Sequence, residues 1–250
     1  MIHYETDRQE GRLWLKESGF SPDFELKTES VFAQCNGYMG VRAAHPLSLV
    51  NENRGMFLSG AFNRAYEDEV TELVNCPDVT WIGLIVNGEE ICPDRTELVS
   101  CERKLDLMTG ELQINYQFRL SLGRLIQIQN RRFASRDDRH LFVQDFKVSF
   151  LDEKAGEIRL KTGINGQETN SGVSHFNKVD CRVYDRERME MRGELKDNSV
   201  TVLTQCSVKS GTLRTKDFKL CRRGIYESLT VAVDRKTEAV FEKITYMNQM

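Results

Sequence analysis

The stretch LQINYQFRLSL, residues 112–122, indicates the fold class most directly. Its apolar side chains fall on every second position: Leu112, Ile114, Tyr116, Phe118, Leu120 and Leu122. A helix would distribute these residues around its axis, whereas a β-strand places all of them on one face. The stretch therefore predicts a strand that buries one face and exposes the other.

The same two-residue period recurs in FVQDFKVSF (142–150), SVTVLTQCSV (199–208), SLTVAVD (228–234) and TWIGLIVNGEEI (80–91). In the last of these, Asn87-Gly88 predicts a tight hairpin turn. No proline follows Pro93, which agrees with paired strands because proline cannot donate a ladder hydrogen bond. About a dozen strand candidates, and no helix longer than two turns, predict an all-β protein built as one large antiparallel β-sandwich.

Composition argues against several classes of partner. The 250 residues carry a net charge of −3, which gives no basic surface for nucleic acid. No apolar run reaches the roughly 18 residues that a membrane-spanning helix needs, and the N-terminus lacks the layout of a signal peptide. The seven cysteines are scattered and form no C-x-x-C pair, as expected in a reducing compartment. We expect a cytoplasmic protein without nucleic-acid or membrane partners.

Residues that carry catalytic chemistry are sparse in this sequence. The four histidines stand far apart, so a zinc site is not expected. The motifs G-x-S-x-G and G-x-G-x-x-G are absent. Adjacent acids such as Asp137 and Asp138 would point to opposite faces of a strand, unlike the facing carboxylates of glycosidases. The residues by themselves nominate no catalytic group.

The stretch ESVFAQCNGYMGVR, residues 29–42, has a more particular pattern. It begins as a strand would, with Val31 and Phe32. Asn36, two glycines and a tyrosine then follow before Arg42. Asn-Gly favours a tight turn, and glycine suits a positive φ or a close approach to the backbone. These residues leave open whether the turn cradles a ligand, docks a partner or reverses the chain.

Five segments in order, over residues 29–141, resemble the N-terminal domain of glycoside hydrolase family 65. That family includes the maltose, trehalose and kojibiose phosphorylases and related α-glucosidases. The matching positions are Glu29, Phe32, Asn36, Gly37, Gly40 and Arg42; Gly55 to Asn63; Leu73, Val74, Asn75, Pro77 and Asp78; Arg103, Leu105, Asp106 and Gly110; and Arg132, Phe133, Ser135, His140 and Leu141.

The resemblance implies a super-sandwich of the galactose-mutarotase-like kind over residues 1–245. Residues 246–250 would begin a linker to an (α/α)6 catalytic barrel that is absent here. The family's general-acid glutamate and phosphate-binding residues lie in that barrel, so we expect this chain to be inactive alone. The parent protein is expected to be an inverting phosphorylase of α-linked glucosyl disaccharides, with inorganic phosphate as co-substrate and no cofactor; a hydrolase stays open.

The resemblance also implies a scaffolding role for the sandwich. It would pack against its own catalytic barrel, shape the rim of the active site or contribute to a homodimer. The candidate residues for such contacts are Asn36, Gly37, Tyr38, Gly40, Arg42, Asp78, Arg132 and His140. Tyr38 would fill an interdomain cavity. Arg42 would pair with a barrel carboxylate or, alternatively, with Asp106 or another acid inside the sandwich.

Two further alternatives remain at the level of sequence. The arginine-rich turn 131–140 would form an internal salt-bridge network or, less favoured, contact sugar or phosphate. The sandwich could also be a stand-alone carbohydrate-binding module, which requires exposed aromatic rings that stack on sugars. For such a site Trp14 is the better surface candidate, while Trp81 is expected in the core. Exposure of Trp14 or of Tyr66, with other aromatic side chains nearby, would favour it. A free-standing hydrolase would need facing carboxylates that nothing nominates.

Overall fold

The computed structural model describes residues 3–9, 11–49, 53–64, 66–152, 154–197, 199–211, 213–233 and 238–250. A 3₁₀ turn (Pro22–Phe24) precedes a single α-helix, α1 (Glu25–Val31), in this described part. The strands, in chain order, are β1 (His3–Gln9), β2 (Arg12–Ser18), β3 (Gln34–Cys35), β4 (Met39–Val41), β5 (Met56–Leu58), β6 (Phe62–Asn63), β7 (Glu72–Leu73), β8 (Ile82–Val86), β9 (Glu89–Ile91), β10 (Glu97–Asp106), β11 (Leu112–Arg119), β12 (Leu125–Ala134), β13 (Leu141–Phe150), β14 (Gly156–Asn165), β15 (Phe176–Tyr184), β16 (Arg188–Leu195), β17 (Thr201–Ser210), β18 (Leu213–Cys221), β19 (Gly224–Val233) and β20 (Glu238–Gln249).

The strands form two large antiparallel sheets, as predicted. One sheet has ten strands in the order β1-β2-β10-β11-β12-β13-β20-β17-β16-β15, and the other has five, β18-β19-β14-β8-β9. Strands β14 and β19 contact β16, β17 and β20, so the two sheets face each other and enclose one core. A three-stranded sheet (β3-β4-β5) and the pair β6-β7 complete the fold.

Strand β11 confirms the alternation read from residues 112–122. Leu112, Ile114, Tyr116 and Phe118 are buried, and the intervening side chains are half-buried or exposed. The strand ends at Arg119, however, and Leu122 is 90% exposed in the turn that follows. The predicted hairpin at Asn87-Gly88 is also confirmed, because both residues have positive φ (51° and 86°) and join β8 to β9.

Two boundaries differ from the sequence prediction. Val31 and Phe32 do not begin a strand: Val31 ends α1 and Phe32 caps it. Their apolar character fits the helix because Phe32 is fully buried while Val31 lies on the exposed face. At the other end, β20 continues to Gln249, four residues past the predicted domain end at 245. No helix in the described ranges is both long and apolar enough to cross a bilayer.

Candidate functional site

Asn36 organises the turn between β3 and β4. Its Oδ1 accepts hydrogen bonds from the backbone amides of Tyr38 (3.0 Å) and Met39 (2.9 Å). Its Nδ2 donates to the carbonyls of Ser135 (2.6 Å) and Arg139 (3.0 Å), which lie 99 and 103 residues later in the chain. An Asn side chain commonly mimics a backbone turn in this way. Here it also fixes the turn against the loop between β12 and β13.

Gly37 and Gly40 of this segment differ in whether the local structure requires a glycine. Gly37 has φ +89°, a left-handed conformation that only glycine adopts without strain. Gly40 is not in that region, and a Cβ added to it would meet nothing within 4 Å among the described residues. The turn therefore explains Gly37, while the sandwich itself gives no steric reason for Gly40.

Tyr38 connects the turn to the end of β20. Its ring meets the His140 ring edge-on with centroids 4.5 Å apart, and the Arg139 guanidinium lies 5.3 Å from its centroid. The Tyr38 hydroxyl accepts from the backbone amide of Gln249 (3.1 Å) and donates to Oδ1 of Asn248 (3.3 Å). Burial raises the pKa of Tyr38, so the phenol keeps its proton and can donate.

The end of β20 is held by further contacts. His140 contacts Met247 through two pairs of atoms. The Met247 backbone amide donates to the His140 carbonyl (2.9 Å), and Nδ1 of the His140 ring lies 3.0 Å from the Met247 carbonyl oxygen. Gln249 Nε2 donates to the Ser59 carbonyl (2.7 Å). A Cβ on Gly60 would lie 2.5 Å from that amide nitrogen. We call residues 36–40, 59–60, 135–140 and 246–249 the motif end.

Arg42 makes an internal ion pair, which is one of the two predicted alternatives. Its Nη2 lies 3.2 Å from Oε2 of Glu29, a carboxylate with no exposed side-chain surface. Gly55 leaves space for Arg42, because a Cβ there would approach the Arg42 Cδ to 2.6 Å. Asp106 pairs with a different arginine, since its Oδ2 lies 3.4 Å from Nη1 of Arg12. The acid that meets Arg42 is therefore Glu29.

A buried ionic cluster lies behind this pair. Arg103 is fully buried and lies 2.6 Å from Glu25, 3.5 Å from Glu17 and 2.5 Å from Nε2 of His45. The other ring nitrogen of His45 meets the Tyr116 hydroxyl. Burial raises the pKa of Glu25, but His45 and Arg103 outweigh it and lower the value to about 2. Burial, followed by the Arg103 charge, lowers the pKa of His45 to about 4. The cluster therefore fastens α1 to the large sheet.

Asp78 and Arg132 are candidates for interdomain or pocket-rim contacts, but the structure places both inside the sandwich, 2% and 0% exposed. Asp78 Oδ1 accepts from the amide (2.9 Å) and hydroxyl (2.6 Å) of Thr80. Arg132 Nη2 donates to the Ala44 carbonyl (2.9 Å). Burial, then the charges of neighbouring arginines, lowers the pKa of Arg132 to about 10. These residues organise the interior because their polar groups need partners there.

The arginine-rich turn divides between surface and interior. Arg131 pairs with Asp145 on the neighbouring strand at 2.7 Å, a single ion pair at the surface of the sandwich. Arg139 lies against Tyr38, and Arg136 is exposed. Across the described part of the chain, no group of three or more His, Cys, Asp or Glu side chains is placed to hold a metal ion.

The two tryptophans are placed opposite to the prediction. Trp14 is 8% exposed, with the Arg12 guanidinium 5.7 Å from its ring centroid. Trp81 is half-buried and lines a hollow on the outer side of the five-stranded sheet. Alternation explains the reversal: Ile82 faces the core, so its neighbour Trp81 faces outward. Tyr66 is 69% exposed, which is one part of what the binding-module alternative requires; the other part is a group of aromatic side chains nearby.

Sequence reasoning missed the partners that complete the motif end and the buried cluster. Asn248 and Gln249 were assigned to a linker, and nothing in their spacing points to Tyr38 or Ser59. The glycine at position 60 was a partial signal, because it marks a close approach without naming the approaching group. Glu25 and His45 carry no readable motif, since their contact depends on how α1 folds onto the sheet.

The chain was compared with known proteins. The sequence model of the family "Glycosyl hydrolase family 65, N-terminal domain" matches residues 15–249. Kojibiose phosphorylase of Escherichia coli (strain K12) is 34% identical over 195 residues, covering 78% of this chain and 25% of that protein. Kojibiose phosphorylase of Halothermothrix orenii is 35% identical over 184 residues, with coverages of 73% and 23%. The chain thus spans about a quarter of the length of these relatives.

A solved structure supports the fold independently. A protein bearing the name "Putative kojibiose phosphorylase from human microbiome" superimposes with a TM-score of 0.86, covering 95% of this chain and 32% of that one. Its identity is 16%, so this likeness concerns the fold. The family match over residues 15–249 and the 34% identical relative identify the sequence family. The chain belongs to the N-terminal domain family of glycoside hydrolase family 65.

Proposed function

We propose that this chain is the non-catalytic N-terminal domain of a disaccharide phosphorylase, and that its motif end packs against the catalytic domain of the same protein. The parent reaction would be phosphorolysis of an α-linked glucosyl disaccharide, with inorganic phosphate as co-substrate. Support comes from the relatives, which are named kojibiose phosphorylases and of which this chain matches about a quarter. We further propose a cytoplasmic location and a contribution of the domain to a homodimer.

The observation that carries the docking proposal is Gly40. Position 40 belongs to the ordered segments that mark the family, yet a side chain there would meet open space among the described residues. Glycine without an internal steric role is expected where another backbone or side chain approaches from outside. Gly40 also adjoins Asn36 and Tyr38, which are fixed by bonds to Ser135 and Gln249. A prearranged surface of this kind suits a permanent partner.

Apolar surface beside the motif end supports the same proposal. A hollow of about 420 Å³ reaches Ser135 and is lined by Met108 and Phe133. Met108 is 61% exposed and its neighbour Leu107 is 48% exposed. Large exposed apolar side chains grouped around a hollow are typical of surfaces that a partner covers. The turn after β10 would therefore contribute to the same interface.

Two assays test the proposal. The isolated chain, incubated with kojibiose, trehalose or maltose and phosphate, should release no glucose 1-phosphate. A chimera in which this chain replaces the matched quarter of the E. coli relative should be active. In the chimera, Gly40→Leu should lower kcat/KM by about tenfold or more, because a side chain at an interface centre obstructs docking.

The control is Leu122→Glu, at a turn that shares no residue with the motif end and where the side chain is 90% exposed. It should leave the chimera's activity unchanged, and Gly40→Leu should leave the Tm of the isolated chain unchanged. Phosphorolysis by the isolated chain would contradict the non-catalytic role. An inactive chimera, or equal effects of the two substitutions, would contradict the docking role.

A further inference from the structure

A second surface feature lies away from the motif end, on the outer side of the five-stranded sheet. It is a hollow of about 320 Å³, a size within the range of small-ligand sites. Aromatic and charged side chains both line it, chiefly Trp81, Tyr226, Lys161, Asp217 and Lys219. It shares no residue with the motif end, so docking of a catalytic domain there does not account for it.

The two aromatic rings lie against glycines. A Cβ on Gly83 would come within 2.9 Å of Cζ2 of the Trp81 indole. A Cβ on Gly224 would come within 2.8 Å of Cε2 of Tyr226, and one on Gly163 within 2.9 Å of its Cδ1. Each ring therefore rests directly over the backbone of the sheet, where any side chain would displace it. Three glycines on three adjacent strands keep this surface free for two rings.

Hydrogen bonds fix both rings in place. Trp81 Nε1 donates to Oγ of Ser48 (2.7 Å), and the Tyr226 hydroxyl donates to Oδ1 of Asn165 (3.2 Å). The rings are nearly perpendicular, at 84°, with centroids 5.8 Å apart. The two fixed rings thus form a right-angled corner of the hollow, one as its floor and the other as its side. Such a corner is prearranged for a flat ligand, because no rotamer freedom is lost on binding.

Strand register supplies a polar rim around this corner. Lys161 of β14 lies opposite Ser228 of β19, and Ser228 lies opposite Asp217 of β18. In the neighbouring row Lys219 lies opposite Tyr226. Lys161, Asp217 and Lys219 are exposed, so their charged groups remain available. The rim thus offers ammonium donors, a carboxylate acceptor and a hydroxyl that can do either.

We propose that this hollow binds a saccharide, an α-linked glucosyl unit, without cleaving it. A pyranose ring presents an apolar C–H face and a rim of hydroxyls, which fits an aromatic floor bordered by donors and acceptors. An adjoining hollow of about 210 Å³ shares Trp81 and Tyr226 and includes Arg54 and Asn165, which leaves room for a second unit. The choice of α-glucosyl units rests on the proposed function; the site itself rests on the aromatic corner and its rim.

Intrinsic fluorescence gives a direct test, because the chain has two tryptophans. The variant Trp14→Phe leaves Trp81 as the sole indole, and we expect kojibiose, maltose and trehalose to change its emission saturably in the millimolar range. The matched variant Trp81→Phe leaves Trp14, which is buried elsewhere, and its emission should not respond. Sorbitol, which lacks a pyranose ring, serves as the ligand control.

Two further variants separate binding from folding. Asp217→Ala removes an exposed rim carboxylate and should weaken sugar binding about tenfold with unchanged Tm. Tyr66→Ala, an exposed aromatic outside the hollow, should leave binding unchanged. A Trp81 signal that ignores all three sugars, or that responds equally to sorbitol, would overturn the proposal. Because these measurements use the isolated chain, their outcome is independent of whether the motif end docks a catalytic domain.

Discussion

Single residues explain why this sandwich tolerates charge in its core. Arg103 is fully buried, and Glu25 at 2.6 Å and Glu17 at 3.5 Å compensate it. A buried charge without a partner is costly, so removing one member of such a group destabilises more than the group's net contribution. His45 joins the group as a neutral ring, because burial lowers its pKa to about 4. As a neutral ring it can accept from Arg103 and donate to Tyr116.

The buried histidine predicts a pH dependence of stability. The unfolded chain binds a proton at His45 near pH 6.5, whereas the native chain resists it down to about pH 4. The contribution of His45 to the free energy of unfolding is therefore fully present above pH 6.5. It decreases as the pH drops from 6.5 to about 4, by at most about 1.4 kcal/mol per pH unit. Urea unfolding between pH 7.5 and 4 should show a steeper loss for the wild type than for His45→Gln.

The substitution removes His45 together with its part in lowering the pKa of Glu25, which lies 3.2 Å away, so the difference between the two proteins reports on that pair. Burial raises the pKa of Glu17 and Glu227, which opposes the loss at low pH. Their contribution cancels in the difference between wild type and variant. Parallel curves for the two proteins throughout that range would show that His45 is protonated in the native state.

At the scale of elements, β14 joins the two sheets. Its Gly163 lies opposite Tyr226 of β19, and the Gly163 carbonyl accepts a hydrogen bond from Lys243 of β20 (2.9 Å). Lys243 also donates to the Thr162 hydroxyl (2.8 Å). One buried ammonium on the large sheet thus satisfies acceptors on the small sheet. Such a fully bonded group costs little in the core and fixes the relative position of the layers.

Glycine substitution within strands tests this packing. A Cβ on Gly163 would collide with the Ile225 carbonyl and lie 2.7 Å from the Tyr226 Cα, both backbone atoms that cannot move aside. Gly163→Ala should therefore lower the free energy of unfolding by about 1–3 kcal/mol. Gly40→Ala, where the space is open among the described residues, is the matched control and should change it by less than about 0.5 kcal/mol. Equal effects in denaturant titration would mean that β14 and β19 separate more easily than their register implies.

At the scale of the whole molecule, β20 connects the centre of the large sheet to the motif end. It pairs with β13 on one side and β17 on the other. Its last residues also contact Tyr38, Ser59 and His140. The strand thus contacts segments that lie 107 to 211 residues earlier in the chain. Long-range closure of this kind makes the end of β20 part of the cooperative unit.

Shortening the chain tests that conclusion. A protein ending at Thr245 loses the fully buried Met247 and the Tyr38 contacts. Its free energy of unfolding should fall by roughly 3 kcal/mol or more, as for other losses of a large buried side chain with its hydrogen bonds. Deleting Met250 alone removes an exposed side chain and two backbone hydrogen bonds with Thr201, and should cost less, about 1–2 kcal/mol. If both truncations have the same Tm, the strand after residue 245 contributes nothing to folding.

The sequence by itself determined the β class, the register-defining alternation and the family. Leu112 to Phe118 show why: which face of a strand is buried depends on local period, and period is visible in the sequence. The Asn87-Gly88 turn was equally readable, because its backbone conformation is a local property. The ordered segments from Glu29 to Leu141 likewise identified the family that the comparisons show.

The tertiary structure alone decided which of those segments meet. Asn36 contacts Ser135, Tyr38 contacts Gln249, and Arg42 meets Glu29 instead of Asp106. Trp14 and Trp81 exchanged their expected places because each lies on the face that its own strand presents to the core or to solvent. Contacts between distant segments depend on strand order and on the layer above each residue. Strand order and layer position leave no pattern in the neighbouring residues, so the spacing of residues in the sequence could not predict these contacts.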